Sequence, residues 1–116
     1  MNKRFYFRVL TLLYLSLIFY ISSLSQPVKL PPFPGFDKII HFFEFGLAGY
    51  LVYNSIDNIK KNRDLFSIVF SVIYGGLDEI HQYFVPGRTC SWTDFFADSM
   101  GIVFTVLMFG SLKKKS

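Results

Sequence analysis

One stretch of the sequence, residues 75–101, concentrates side chains that can do chemistry. It reads GGLDEIHQYFVPGRTCSWTDFFADSMG and has strongly apolar blocks on both sides. Ionisable groups inside apolar, membrane-type segments are costly and usually face a protein interior or a wet cavity, so the stretch indicates a functional site. Its carboxylate, imidazole, amide and guanidinium side chains are Asp78, Glu79, His81, Gln82, Arg88, Asp94 and Asp98.

A second polar group precedes this stretch. Asp37, His41 and Glu44 follow one another at intervals of four and three residues, which places them on one face of a helix. The same helical spacing recurs twice within residues 75–101. We therefore expect three helices to bring their polar side chains to one depth and to form a polar pocket.

Two kinds of catalytic site fit these residue types. The first is acid–base or nucleophilic catalysis, in which a carboxylate acts beside a histidine. Its candidates are His41, Glu79, Asp78 and Gln82. The second is a divalent metal cofactor such as Mg²⁺, Mn²⁺ or Zn²⁺, held by oxygen and imidazole ligands so that it activates water. Its candidates are Glu44, His81 and Asp98.

A substrate-binding group for phosphate or carboxylate is a third possibility. A guanidinium beside the free N–H groups at the start of a helix binds such anions well. The candidates are Asp37, Lys38, Arg88, Ser91 and Asp94. Some of them have structural alternatives, because Asp37 could be an N-cap, and Ser91 with Asp94 forms a variant of the capping box.

The composition predicts one membrane domain spanning residues 1–116. The chain is 52% hydrophobic and 20% aromatic, which is too apolar for an ordinary soluble domain of this length. Its apolar blocks predict an all-α bundle of four transmembrane helices, approximately residues 5–24, 39–56, 65–85 and 92–112. The first block could instead be a cleaved signal peptide, but it exceeds the usual apolar core of a signal.

The basic residues orient this bundle. Nine of the twelve fall on one predicted side of the membrane, and only Lys29, Lys38 and Arg88 fall on the other. By the positive-inside rule, both termini should be cytoplasmic and the polar pocket should face the opposite side. Because the basic clusters alternate with apolar blocks, we expect the lipid bilayer as partner and no nucleic acid.

The polar residues also form an ordered set of motifs. In sequence they are Asp37-Lys38-x-x-His41, Asp78-Glu79-x-His81-Gln82-x-Phe84-x-Pro86-Gly87-Arg88 and Ser91-x-x-Asp94-x-x-x-Asp98-x-x-Gly101. In order and interval they resemble the VanZ-like membrane protein family. The resemblance implies a small multi-helix protein of the bacterial inner membrane. The family usually has Asn at the position of Asp98, and the additional acid favours cation binding or a protonated carboxyl there.

The resemblance also implies a link to the cell envelope, since the founding member is associated with resistance to the glycopeptide teicoplanin. The predicted function is hydrolysis or group transfer on a phospholipid or an anionic, lipid-linked envelope intermediate. The alternatives are a non-enzymatic membrane module for binding or transport, and a structural partner of a larger envelope complex.

Overall fold

The computed structural model describes residues 3–24, 35–56, 62–85 and 92–115, apart from the side chains of Asp37 and residues 113–115. These residues form four α-helices and no strand, which confirms the predicted all-α class. The helix bounds agree with the predicted ones to within three residues at every end. The helices are α1 (Lys3–Ser22), α2 (Phe36–Ser55), α3 (Arg63–Tyr83) and α4 (Trp92–Lys115).

The start of α2 is set by a glycine. Gly35 is the N-cap and has a φ of 83°, a left-handed conformation that glycine adopts without steric cost. Asp37 is therefore the second residue of the helix, and the predicted N-cap role for it is wrong. The start of α3 uses a similar device, because its N-cap Asn62 has a φ of 61°, and Asn is among the side chains that tolerate this region.

The directions of the helices follow from which of their ends meet. Near the start of α1, Arg8 Nε donates a 3.0 Å hydrogen bond to the carbonyl oxygen of Ser55 at the end of α2. At the start of α3, Arg63 Nε donates to the carbonyl oxygen of Tyr53 at 2.9 Å. Helix α2 is therefore antiparallel to α1 and α3, and a hydrogen bond from Lys38 to Asp94 places the start of α4 beside the start of α2. We call the end at which α1 and α3 finish, around residues 22 and 83, and α2 and α4 begin, around residues 36 and 92, the site end.

The hydrophobic core lies mainly between α2 and α4. Phe45, Ile102 and Val106 are completely buried there, and Ala48 is nearly so. Glycines bring the two backbones close: a β-carbon at Gly49 would lie 3.4 Å from the carbonyl oxygen of Ile102. Because α2 and α4 pack so tightly, the polar residues at their starting ends have a fixed register.

Helix α3 buries its polar face and exposes its apolar one. Its buried residues are Arg63, Ser67, Ser71, Gly75, Asp78, Glu79 and Gln82. Its exposed large side chains include Leu65, Phe66, Val69, Phe70, Ile73, Leu77 and Ile80. A surface helix of a water-soluble protein shows the opposite pattern. The outer face of α3 is therefore suited to hydrocarbon rather than to water.

Two of the described helices are long and apolar enough to cross a membrane: α1, and residues Trp92–Leu112 within α4. Only 22% of the span in α1 and 28% of the span in α4 is buried, so neither is the enclosed central helix of a soluble protein. Together with the outer face of α3, these two spans indicate a membrane protein.

Candidate functional site

Polar side chains from all four helices meet at the site end of the bundle. Helices α2 and α4 contribute one group through their first turns, and α1 and α3 contribute another through their last turns. We refer to both groups together as the polar site. Its described side chains are Ser22, Ser23, Lys38, His41, Glu44, Asp78, Glu79, His81, Gln82, Asp94 and Asp98.

A histidine–carboxylate pair joins α2 to α4. His41 Nδ1 lies 2.8 Å from Asp98 Oδ1, and Asp98 is only 1% exposed. Beside an ionised carboxylate, which can only accept a hydrogen bond, a neutral imidazole would carry its proton on Nδ1. Nε2 is then the basic nitrogen of the ring. This is the arrangement in which a carboxylate orients a histidine for acid–base catalysis.

A second carboxylate lies on the other side of the same imidazole. Asp94 Oδ2 is 3.7 Å from His41 Nε2, which is beyond hydrogen-bonding distance but close enough to stabilise a protonated ring. The other oxygen of Asp94 accepts a 2.6 Å hydrogen bond from Lys38 Nζ. Lys38, one of the two cations predicted for substrate binding, is therefore already paired with a carboxylate.

The second group centres on Asp78 of α3. Ser22 Oγ donates a 2.6 Å hydrogen bond to Asp78 Oδ1, and Gln82 Nε2 donates to Asp78 Oδ2 at 3.2 Å. All three side chains are buried. Gln82 therefore holds Asp78 from one turn further along the same helix. The serine on α1 completes the set and ties α1 to the site.

His81 belongs to the edge of this second group. Its Nε2 lies 2.8 Å from Ser23 Oγ, and its ring stacks on Phe19 with 4.3 Å between centroids. It therefore faces α1, whereas His41 faces α4. The two histidines thus lie on different sides of the bundle's polar interior.

Two glutamates add to the polar site, and one of them, Glu79, connects its two groups. Glu44 and Glu79 are close enough to Asp98 to interact with it electrostatically, and Glu79 interacts in the same way with Asp78. Glu79 is buried between the two groups and only 6% exposed. Asp98 Oδ2 is also buried, and no other described group forms a hydrogen bond with it. The polar site thus contains a carboxylate oxygen that can accept a hydrogen bond from a ligand or water.

Among the described residues, no group of three or more His, Cys, Asp or Glu side chains could hold a metal ion. Of the metal candidates, His81 contacts Ser23, and Asp98 contacts His41. The metal cofactor stays a prediction. The side chain of Asp37 and the whole of Arg88 and Ser91 lie outside the described residues, so the predicted anion clamp also stays a prediction.

The sequence reasoning missed the contribution of α1. Neither Ser22 nor Ser23 was among the predicted site residues, yet both contact polar residues of α3. The spacing of residues in α1 contained a signal. The buried residues of this helix are Thr11, Ile18 and Ser22. They are separated by seven and four residues, so they share one helical face. Polar residues at two of these positions mark the side of α1 that faces the bundle.

Comparison with protein-family models shows to which family the chain belongs. The family model described as VanZ/LLP1 matches residues 3–113, nearly the whole chain. The chain belongs to the VanZ/LLP1 family. The match begins at the start of α1, so the helix that supplies Ser22 and Ser23 is part of the VanZ/LLP1 domain. Membership in this family supports, in general terms, a VanZ-like protein related to the cell envelope or to resistance. No curated protein matches the chain, and no solved structure matches it.

The charge balance limits what this VanZ/LLP1 site can bind. Lys38, His41 and His81 are its only basic side chains among the described residues. The acidic side chains are Glu44, Asp78, Glu79, Asp94 and Asp98. Such an excess of carboxylates favours protons, cations and neutral hydrogen-bond donors over a free anion.

Proposed function

We propose that the chain is a multi-pass protein of the bacterial cytoplasmic membrane in which all four helices cross the bilayer. Helices α2 and α3 carry polar residues, but those residues face the bundle interior, where they are tolerated. Nine of the twelve basic residues lie toward one side, which supports cytoplasmic termini. The polar site then lies on the extracytoplasmic side, within the outer leaflet.

We propose that this site hydrolyses or transfers a group on a phospholipid or lipid-linked substrate of the cell envelope. The observation that carries the proposal is the His41–Asp98 hydrogen bond of 2.8 Å inside the bundle. In this mechanism, Nε2 of His41 removes a proton from the attacking hydroxyl or water. Asp98 keeps the imidazole oriented, and Asp94 stabilises the positive charge that the ring gains.

The other predicted catalytic residues have supporting roles in this mechanism. Glu79, buried between the two groups, binds the substrate's polar end. Asp78 is held in place by Ser22 and Gln82 and adds negative charge on the α3 side. If a divalent metal ion binds, it would supply Lewis-acid activation of water. Because no described triad is arranged for it, ligands from outside the described residues would be required.

The test is turnover of lipid by the purified protein. The protein is reconstituted in nanodiscs of bacterial polar lipids, with and without divalent ions, and products are followed by mass spectrometry. His41→Gln should abolish product formation, because general-base catalysis contributes about 10²–10⁴ in rate. His81→Gln is the matched control, since that histidine faces α1, and it should retain activity. Loss of product formation in both variants, or unchanged product formation in both, contradicts the assigned role of His41.

A non-enzymatic binding or transport module is the second candidate, and the excess of carboxylates in the polar site favours it. Ligands that bind the folded state raise its melting temperature by mass action. A melting shift with cations or lipids that Glu79→Gln removes, with no product in the turnover assay, would support this candidate over the enzyme. A shift together with product formation would support the enzyme.

A further inference from the structure

His41 lies between two carboxylates of α4 that contact its ring differently. Asp98 Oδ1 is 2.8 Å from Nδ1 and forms a hydrogen bond with the ring. Asp94 Oδ2 is 3.7 Å from Nε2, which is about 0.5–1 Å too far for a hydrogen bond. The proposed mechanism assigns proton transfer to Nε2. The gap between Asp94 and Nε2 is therefore what leaves this nitrogen able to accept a proton from a substrate.

Lys38 holds the other oxygen of Asp94. Its Nζ donates a 2.6 Å hydrogen bond to Asp94 Oδ1, and the two charges form an ion pair. The side chain of Asp94 is only 8% exposed, whereas that of Lys38 is 36% exposed. Lys38 precedes His41 by one turn of α2. The carboxylate thus lies between a lysine nearer the site end and an imidazole one turn further into the bundle.

The contact with Lys38 opposes a closer approach of Asp94 to Nε2. A carboxylate is rigid, so any shift of Oδ2 toward the ring also moves Oδ1. A 2.6 Å hydrogen bond between two charged groups is of the strong, charge-assisted kind. Stretching or breaking this bond costs free energy, and the carboxylate is therefore retained at its distance from His41.

The charge of Lys38 acts in the same direction. Without this cation, Asp94 would be a buried carboxylate with an uncompensated charge, which is costly. His41 could compensate it, because a protonated ring donates hydrogen bonds from both nitrogens. The ring would then bind Asp98 through Nδ1 and Asp94 through Nε2. Neither nitrogen would be left to accept a proton.

We infer that Lys38 is a positioning residue of the polar site: by binding Asp94, it keeps this carboxylate from hydrogen bonding to His41 Nε2 and leaves that nitrogen open to the substrate. This inference rests on the proposed function and specifies how the general base of the same site is kept available. Lys38 acts in this way through Asp94, without contacting the substrate.

The test observes the ring nitrogens of His41 directly. The chain contains two histidines, so His81→Gln leaves His41 as the only one and serves as the parent protein. The full chain is labelled with ¹⁵N-histidine, reconstituted in nanodiscs and studied by NMR spectroscopy at one mildly alkaline pH. Protonated and unprotonated ring nitrogens give separate signals. We expect the parent to carry a proton on Nδ1 and none on Nε2, and Lys38→Met to carry protons on both.

Matched variants separate positioning from a general loss of structure. Lys38→Arg retains a cation that can bind Asp94 and should give the parent spectrum. Lys38→Met combined with Asp94→Asn removes both charges, so Nε2 should again be unprotonated. If Lys38→Met does not fold, Lys38→Gln removes the charge but keeps a polar side chain, and it should likewise lead to a protonated Nε2. A parent in which Nε2 already carries a proton, or a folded Lys38→Met variant in which it carries none, overturns the inference.

Turnover distinguishes this inference from the proposed function. Lys38→Met should lower kcat by about tenfold or more, because blocking a general base removes up to about 10²–10⁴ in rate. KM should change little, since Lys38 does not contact the substrate, and adding Asp94→Asn should bring kcat back to the value of Asp94→Asn alone. If the parent shows no lipid turnover, the proposed function fails and the NMR result still decides the role of Lys38. Turnover that depends on His41 but is unchanged in Lys38→Met overturns the inference alone.

Discussion

Gly101 of α4 lies against the backbone of Phe42 in α2 so closely that a β-carbon at position 101 would overlap the Phe42 carbonyl oxygen. The carbonyl is part of a helix backbone and cannot rotate away as a flexible side chain would. This contact is one turn from Asp98 and so determines how far apart the starts of α2 and α4 can be.

Gly101→Ala should therefore destabilise the protein strongly. Inserting a methylene into a packed core typically costs about 1–3 kcal/mol, and a clash with backbone should reach or exceed the upper end. The expected result is a clear fall in melting temperature of the detergent-purified protein. Gly76→Ala is the control, because its β-carbon would make an ordinary contact of 3.5 Å with Phe95. Equal melting temperatures for the two variants would contradict this account of the α2–α4 contact.

Substitutions of Asp98 should separate hydrogen bonding from charge. Asp98→Asn retains an oxygen that accepts from His41 Nδ1 and removes one of several neighbouring negative charges, so its melting temperature should stay near that of the wild type. Asp98→Leu leaves His41 without its partner, and breaking a buried pair costs about 3–5 kcal/mol. Thermal unfolding with intrinsic fluorescence measures both. A leucine variant as stable as the asparagine variant would show that the hydrogen bond does not hold α2 to α4.

Ser22→Ala should destabilise the protein although it removes only one oxygen atom. The buried Asp78 carboxylate would lose its 2.6 Å hydrogen bond, and a buried polar group left unsatisfied costs about 1–3 kcal/mol. Ser23→Ala is the matched control on the adjacent residue. Because Ser23 is exposed, its removal should change the free energy of unfolding by about 0.5 kcal/mol or less. A larger loss of stability in Ser23→Ala than in Ser22→Ala would contradict the stabilising role assigned to the Ser22–Asp78 hydrogen bond.

The proposed orientation predicts which side of the membrane each connector faces. The native Cys90, in the connector between α3 and α4, should react with a membrane-impermeant maleimide in intact spheroplasts. In a Cys90→Ser background, Asn58→Cys in the connector between α2 and α3 should react only after the membrane is permeabilised. The opposite labelling pattern would place the polar site on the cytoplasmic side.

The helices were predictable from the sequence because each apolar block is bounded by prolines or charged residues. The shared face of His41 with its neighbours in α2 was also predictable, since helical spacing is a local property. The place of Asp78 and Gln82 on one helical face was predictable for the same reason, because the two residues are four positions apart in one helix. Local periodicity thus determines which side chains of one helix act together.

Pairings between helices were not predictable in the same way. Whether His81 faces α1 or α4 depends on the rotation of α3 about its axis, and a small rotation decides between Ser23 and the carboxylates of α4. Lys38 was expected to be available to an anionic substrate, but a contact 56 residues further along the chain, with Asp94, occupies it. Composition and spacing contain no direct information about these distances.

The separation of the paired residues has a consequence for biosynthesis. Ser22 and Asp78 are 56 positions apart, and His41 and Asp98 are 57 positions apart. During translation, α2 therefore leaves the ribosome with its histidine long before α4 exists to supply the carboxylate. In the proposed topology, His41 would remain at the insertion machinery or in the bilayer until its partner arrives two helices later. In the proposed four-span topology, a nascent chain that stops before Trp92 would leave His41 without its carboxylate partner, and such a chain would be a target for the proteases that remove incompletely assembled membrane proteins.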